Sequence, residues 1–557
     1  MPKVTFDSGK IAVQVSSGTT ILEAARLAGV PLESPCNGAG TCGKCKVRLD
    51  KASLSSVELY GNHHISDDEY QKGWVLACEA RVKADVSVIL VPERDHKGSL
   101  KILSEGLGLE VKLDSYIKKC FLSDINKTTV YAGEDIIATE SGDTRNETYG
   151  VVVDIGTTTL VASLIDLNSA EELGVVSALN PQAVYAQDVL SRIKFASEDK
   201  GLKILHTVII NEINKMMGKL LIDTSIRKEY VYEIVFSGNT CMLHLAANVN
   251  PFSLGKYPYT PAITGGSHIN AQKLGLDISE RGIAYLPSII SSYVGADITS
   301  GVLASQLDKI DSTTLFVDIG TNGEMVIASG GKLSATSTAA GPAFEGMNIS
   351  CGMRAANGAV EYFDIDDKGS VSIKVIGDSE PSGICGSGLL DIVGEMVEHG
   401  IINANGKFIE NRDNIPKELA GRLIFKEGKT VFSISEKVYL SQKDIRQVQL
   451  AKGAVRAGIE YLLQSRDVSA ENVDRVLIAG SFGYHLRAES LINIGLLPEE
   501  FEGKIDFIGN TSKSGGKAFL LNKACRKVMD KTVKHIEVVE LSNYKDFDKV
   551  FVKCLAF

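Results

Sequence analysis

Residues 149–166 read YGVVVDIGTTTLVASLID, and residues 313–329 read TTLFVDIGTNGEMVIAS. Each stretch is an apolar run, a turn rich in Gly and Thr, and a second apolar run, which predicts strand–turn–strand. The tetrapeptide Asp-Ile-Gly-Thr stands at 154–157 and again at 318–321. One such turn says little. Two in the same context predict a duplicated α/β unit and therefore two lobes facing a cleft. A turn of this make-up presents backbone N–H groups and hydroxyls to phosphate. An Asp leading it suits Mg²⁺, held through waters because that ion dehydrates reluctantly. The phosphate and metal candidates are thus Asp154, Gly156, Thr157, Thr158 and Thr159 in one loop. In the other they are Asp318, Gly320, Thr321, Asn322 and Gly323. Residues 476–483, VLIAGSFG, add an apolar strand running into a Gly-Ser-Phe-Gly turn. There Gly480, Ser481 and Phe482 let the backbone approach a base or ribose closely. Between the loops, residues 202–223 predict a long amphipathic helix. Gly515-Gly516-Lys517-Ala518 is not a Walker loop, because it lacks the first Gly and the final Ser/Thr.

Ahead of the loops, residues 35–49 read PCNGAGTCGKCKVRL and residues 76–82 read LACEARV. The spacing is Cys36-x5-Cys42-x2-Cys45, with Cys78 further on. Four thiolates satisfy a [2Fe–2S] cluster, whose plant-type pattern is C-x4-C-x2-C…C. Here the first gap is one residue longer. Structural zinc normally uses two C-x2-4-C knuckles, and only Cys42 and Cys45 make one. Gly38, Gly40 and Gly43 can take positive φ and bring N–H groups toward the sulfurs. Around this loop, residues 3–15 alternate as a hairpin turning at Asp7-Ser8-Gly9-Lys10. A short helix over 21–29, a strand over 46–49 and the closing runs 74–82 and 85–92 complete a small domain, 1–95. Residues 96–148 read as a connector with some β structure over 111–122 and 128–139. The remainder, 149–557, holds the duplicated unit.

Bulk properties set limits. A net charge of −10 and a pI near 5.6 argue against a nucleic-acid binder. Residues 1–15 lack the basic, apolar, small-residue pattern of an export signal. No apolar run reaches transmembrane length. A cytoplasmic setting with no membrane partner follows as an expectation. Thiols are reduced there, so clustered cysteines read as metal ligands. The scattered Cys120, Cys241, Cys385, Cys525 and Cys554 read as small buried hydrophobes or surface thiols, and Trp74 reads as core.

The N-terminal motif resembles a [2Fe–2S] ferredoxin domain, which passes one electron at a time. The two loops and the Gly480 turn resemble the phosphate and adenosine motifs of the superfamily of acetate and sugar kinases, heat-shock chaperones and actin. The implied fold class is a multidomain α+β and α/β chain. A β-grasp ferredoxin-like domain precedes a two-lobed, duplicated actin-like ATPase, with lobes of roughly 149–310 and 311–557 closing around ATP by hinge motion.

Finer motifs narrow the resemblance. They are Asn180-Pro181-Gln182, residues 236–242 (FSGNTCM), Gly341-Pro342-Ala343-Phe344-Glu345-Gly346, Cys351-Gly352-Met353-Arg354 and residues 383–388 (GICGSG). With the ferredoxin domain in front, the whole chain resembles the ATP-dependent reductive activators of corrinoid proteins. That family carries a longer, partly helical middle domain, whereas only 96–148 fill the place here. The resemblance implies a [2Fe–2S] cluster, ATP and Mg²⁺ as cofactors. It implies a corrinoid protein of a methyltransferase system as partner, and a low-potential ferredoxin or flavoprotein as electron donor. A homodimer is among the assemblies it allows. The implied reaction is one-electron reduction of Co(II) to Co(I), with Asp154, Asp318 and Glu345 as catalytic candidates. Glu345 would position water on the γ-phosphate or cap a helix, and Cys351 would pack beside Gly352. Gly341 joins the nucleotide-binding candidates. Two alternatives stay open: activation of another low-potential metalloenzyme, and a small-molecule kinase with a redox-sensing ferredoxin domain.

Overall fold

The computed structural model describes residues 1–6, 10–30, 32, 34, 38–40, 43–61, 64–90, 111–426, 428–480 and 486–557. Cys36, Cys42, Ser481, Phe482, the Asp7-Ser8-Gly9 turn and the expected boundary at 95/96 lie outside the described residues. The chain forms two compact units. One comprises Met1–Ser99 with Pro181–Phe195, and the other Leu100–Asn180 with Ala196–Phe557.

In the first unit a five-stranded sheet runs in the order Ile11–Gln14, Lys3–Phe6, Val86–Ile89, Lys46–Leu49, Trp74–Leu76. The pair Lys3–Phe6 and Val86–Ile89 is parallel, and the other pairs are antiparallel. The helix Ile21–Leu27 starts at a capping box, in which the Thr20 hydroxyl accepts from Glu23 N–H and the Glu23 carboxylate accepts from Thr20 N–H. It buries Ile21, Leu22, Ala24 and Ala25 in a core with Val4, Phe6, Val47 and Val88, against which Trp74 packs. This is the β-grasp arrangement. The closing run 74–82 forms two strands, Trp74–Leu76 and Ala80–Val82, which belong to different sheets. The chain turns between them, where Glu79 N–H donates to the Leu76 carbonyl at 3.0 Å. Cys78 therefore sits in a turn and not on a strand face.

The second unit begins with a three-stranded antiparallel sheet, Ile117–Leu122, Lys127–Ala132 and Asp135–Ser141. It is not a free-standing connector. Ile117, Val130 and Ala132 share a core with Val152, Ile165 and Tyr232. Lys119 is buried there, held by Glu140 Oε2 at 2.7 Å and the Glu147 carbonyl at 2.7 Å. Tyr232 Oη donates to the other Glu140 oxygen at 2.5 Å. Burying a charge is tolerable only with such partners.

Two six-stranded sheets follow, built alike. The first runs Glu172–Leu179, Thr159–Asp166, Tyr149–Ile155, Val231–Gly238, Ile283–Leu286, Ser267–Asn270. The second runs Ile505–Gly509, Arg475–Ala479, Thr314–Ile319, Gly323–Ser329, Lys332–Thr338, Ile536–Val538. In both, the strand leading into Asp-Ile-Gly-Thr pairs antiparallel with the strand after the turn, and parallel with a later strand on its other side. The long helix appears as Gly201–Thr224 and buries Leu205, Ile209, Ile213, Met216 and Leu220 at helical spacing.

Helices Ala296–Ala304 and Thr511–Leu521 pack on each other between the two sheets. Ile298, Val302, Phe519 and Leu520 share one core with Val152 and Val235 of the first sheet and Phe316 and Leu477 of the second. Small residues set this contact. A Cβ at Gly515 would stand 2.0 Å from the Ser300 carbonyl, and one at Gly516 would stand 2.6 Å from Val152 Cγ1. The Gly-Gly-Lys stretch that imitates a Walker loop is thus a helix-packing face.

Candidate functional site

The two Asp-Ile-Gly-Thr turns open on a single cleft in the second unit. In the first turn Gly156 N–H donates to the Thr159 carbonyl at 2.9 Å, and in the second Gly320 N–H donates to the Asn322 carbonyl at 2.8 Å. A Cβ at Gly156 would stand 2.7 Å from the Thr159 carbonyl, so that turn requires glycine. Each turn is pinned from outside. Asn180 N–H donates to the Thr158 carbonyl at 2.9 Å, and its side-chain amide donates to the Gly156 carbonyl at 2.8 Å. Gly341 N–H donates to the Thr321 carbonyl at 2.9 Å. Gly323 opens the strand after the second turn, where a Cβ would meet Thr338 Oγ1 and Val455 Cγ2 at 2.9 Å, so it shapes the loop.

The repeat goes further than the tetrapeptides. Gly238 ends the strand parallel to the first loop's leading strand, and Gly480 stands at the matching place in the second lobe. A Cβ on either would lie 2.6 Å from the carbonyl of the adjacent Ile, Ile155 or Ile319. Both have positive φ, 159° for Gly238 and 121° for Gly480. FSGNT at 236–240 is therefore the first-lobe counterpart of the Gly480 turn. Its Asn239 caps the helix Thr240–Ala246 and donates to Thr157 Oγ1 at 3.2 Å.

Both central helices aim their N-termini at the cleft. Asp297 lies in the first turn of Ala296–Ala304, and Asn510, Thr511 and Ser512 open Thr511–Leu521. Helix N-termini favour anions through unsatisfied N–H groups and the helix dipole. None of these four residues was singled out from the sequence. Nothing local marks them, because their place follows from the packing of the two helices.

The carboxylates of the cleft are not equivalent. Both Asp154 oxygens are engaged, Oδ2 by Asn510 Nδ2 at 2.8 Å and Oδ1 by Ser512 Oγ at 2.7 Å. Burial raises its pKa, and those hydrogen bonds oppose the rise. Asp318 has no hydrogen-bond partner among the described residues. Burial first, then the Asp297 and Asp154 charges, push it up to about 8. Burial also raises Asp297 and Glu324, which share the cleft. Glu345 binds both loops: Thr158 Oγ1 donates to its Oε2 and Thr321 Oγ1 to its Oε1. Glu361 and Arg354 also line the wall. The structure thus brings together Asp154, Gly156, Thr157, Thr158, Thr159, Asp318, Gly320, Thr321, Asn322, Glu345 and Gly480. A polar cleft with an unpaired carboxylate, two helix N-termini and two hydroxyl-bearing loops suits a metal-bound polyphosphate.

In the first unit, Cys45 Sγ and Cys78 Sγ are 3.3 Å apart. That is far beyond a disulfide bond of about 2.05 Å. It is nearer to the roughly 3.8 Å that separates two sulfurs on one tetrahedral ion with metal–sulfur bonds of roughly 2.3 Å. Gly38, Gly40 and Gly43 have φ of 91°, 74° and 68°. A Cβ at Gly40 would meet Glu79 Oε1 at 2.7 Å, and one at Gly43 would meet His64 Cβ at 2.9 Å. Gly38 and Gly40 pass tightly against the turn that carries Cys78, and the two described thiols fit an iron–sulfur group.

Comparison with known proteins matches three stretches of the chain. Residues 4–83 match the 2Fe-2S iron-sulfur cluster binding domain, 149–310 the RACo middle region, and 312–557 the C-terminal ASKHA domain of RACo. The RACo middle region thus falls on the first lobe and not on 96–148. The chain is 27% identical to the corrinoid activation enzyme RamQ of Eubacterium limosum, over 94% of this chain and 93% of that protein. It is 27% identical to the [Co(II) methylated amine-specific corrinoid protein] reductase of Methanosarcina barkeri, over 68% of this chain and 70% of that one. A solved reductive activator for corrinoid, iron-sulfur protein superposes with a TM-score of 0.73 at 30% identity, covering 100% of this chain and 98% of that one.

Proposed function

The chain belongs to the RACo family, and on that premise we propose that it uses ATP to drive the one-electron reduction of a corrinoid protein from Co(II) to Co(I). The observation that carries this reading is the coexistence of two devices in one chain. One is the Cys45–Cys78 thiol pair in a ferredoxin fold, and the other is the doubled Asp-Ile-Gly-Thr cleft. Cys36, Cys42, Cys45 and Cys78 hold the [2Fe–2S] cluster, which supplies single electrons at low potential when bound. Corrinoid reduction lies uphill of such donors, and each ~59 mV of one-electron gap costs about a factor of ten in equilibrium, or about 1.4 kcal/mol. A nucleotide helps only by binding two states of the protein unequally.

The residues divide the task. Backbone N–H groups of the two loops other than those of Gly156 and Gly320, which close the turns, receive the phosphates. Asp318, unpaired and facing the cleft, takes Mg²⁺, with Glu324 beside it. Asp154 holds the N-terminus of Thr511–Leu521 through Asn510 and Ser512, so it sets the angle between the lobes. Glu345 bridges a threonine of each loop, which makes phosphate binding and lobe closure one event; its remaining lone pairs can orient water. Gly480, with Ser481 and Phe482, lets the adenosine lie against the backbone. The electron donor in this reading is a low-potential ferredoxin or flavoprotein, and the setting is cytoplasmic.

The phosphorus product tests the reading against a kinase. Incubation with Mg-ATP and a cell-free metabolite mixture should yield ADP and inorganic phosphate in equal amounts. Stoichiometric transfer of phosphate to a small-molecule acceptor would contradict it.

A further inference from the structure

We propose that Arg354 reads the terminal phosphate of ATP. The proposal rests on the nucleotide reading of the cleft and adds a residue to it. The cleft wall carries Asp154, Asp297, Asp318, Glu324, Glu345 and Glu361. Against these carboxylates Arg354 is the sole Lys or Arg lining the cleft among the described residues. A polyphosphate entering such a wall needs positive charge beyond one divalent ion, and the fold supplies no Walker lysine. Arg354 is also uncommitted: no described residue accepts a hydrogen bond from it or pairs with it. Other half-buried or buried arginines of this unit are occupied. Arg487 holds Asp364, Asp391 and Glu395, and Arg526 holds Glu233.

The backbone that presents Arg354 is built for position. Gly346 and Gly352 face each other so closely that a Cβ on Gly352 would stand 1.9 Å from the Gly346 carbonyl, and one on Gly346 would stand 2.5 Å from the Met353 carbonyl. Met353 N–H donates to the Ile384 carbonyl at 2.9 Å, and Ile384 N–H to the Cys351 carbonyl at 2.8 Å. Three sequence motifs thus meet: 341–346, 351–354 and 383–388. Their product is a closed loop with Glu345 at one end and Arg354 at the other. Glu345 touches Thr158 and Thr321, so this loop starts where the two phosphate loops converge. The end of a nucleotide that reaches that point is its terminal phosphate. A guanidinium there offers a planar fork to two phosphate oxygens. In hydrolysis, water adds to the terminal phosphorus, the bond to the bridging oxygen breaks, and ADP leaves with that electron pair. Arg354 neutralises charge on the transferring group and exchanges no proton.

The test uses the full-length, cluster-loaded protein with Mg-ATP and Mg-ADP. Arg354→Ala should bind ADP within about threefold of wild type, bind ATP about tenfold more weakly, and hydrolyse it roughly 100-fold or more slowly. Arg354→Lys keeps the charge but not the fork, and should fall between the two. The melting curve and the visible spectrum report folding, and the Lys variant carries the test if the Ala variant does not fold. ATP affinity and turnover within threefold of wild type would overturn the proposal. Equal weakening of ATP and ADP would also overturn it, because the contact would then not be terminal. Failure of the wild-type chain to bind ATP would instead remove the nucleotide reading beneath it.

Discussion

Asp318→Ala should abolish ATP-dependent Co(I) formation, by roughly 100-fold or more, while the visible absorption of the N-terminal domain stays unchanged. The Asp318 carboxylate is unpaired, faces the cleft and lies next to the second phosphate loop. Its loss removes the oxygen assigned to Mg²⁺. The variant should nevertheless fold as well as wild type. Burial and the neighbouring Asp297 and Asp154 push the Asp318 pKa from 3.8 up to about 8. The folded state therefore holds this proton more tightly than the unfolded one, so ionisation lowers stability as pH rises between those values. Removing the group relieves that term, and at pH 8 the melting temperature should be equal or higher. Asp154→Ala is the contrasting case. It leaves Asn510 Nδ2 without its acceptor and Ser512 Oγ with only Ser237 Oγ to donate to, at about 1–3 kcal/mol of stability. Melting curves and Co(I) yields of the two variants separate the roles. Normal ATP-driven reduction by Asp318→Ala would remove Asp318 from the site.

Cys78→Ser should give the mirror image. The iron–sulfur absorption and all Co(I) formation should be lost, while ATP binding stays within about threefold of wild type. Serine is close in size but is not ionised at neutral pH, so it replaces a soft thiolate with a poor ligand. Cys78 suits this test better than Cys45, which is buried in the domain core. Absorbance and nucleotide titration on one sample decide the matter. An unchanged spectrum would remove Cys78 from the ligand set.

The fold was legible where the signal is local. An apolar run, a Gly/Thr turn and a second run are contiguous, so both Asp-Ile-Gly-Thr hairpins stand out in the chain. The cysteine spacing is equally local. What stayed hidden depends on packing. Asp297, Asn510 and Ser512 become site residues only because two helices far apart in sequence cross between the sheets. FSGNT at 236–240 was visible as a motif, but its equivalence to the Gly480 turn appears only from strand register. Asp154 and Asp318 look identical in sequence and differ because the helix Thr511–Leu521 reaches one and not the other. The run 74–82 was visible as a closing segment, but apolar content alone does not show that the chain must turn at Cys78. The β structure expected over 111–122 and 128–139 forms, and its place in the core shared by the two large sheets shows only in the buried Ile117, Val130 and Ala132.

The central claim is that ATP lets this chain place an electron on a corrinoid. Its most direct measurement mixes the reduced, cluster-loaded protein with a Co(II) corrinoid protein and follows the Co(I) absorption band with and without Mg-ATP. The account predicts Co(I) only when Mg-ATP is present. Equal Co(I) in both samples, or none in either despite an intact cluster and ATP turnover, would contradict it.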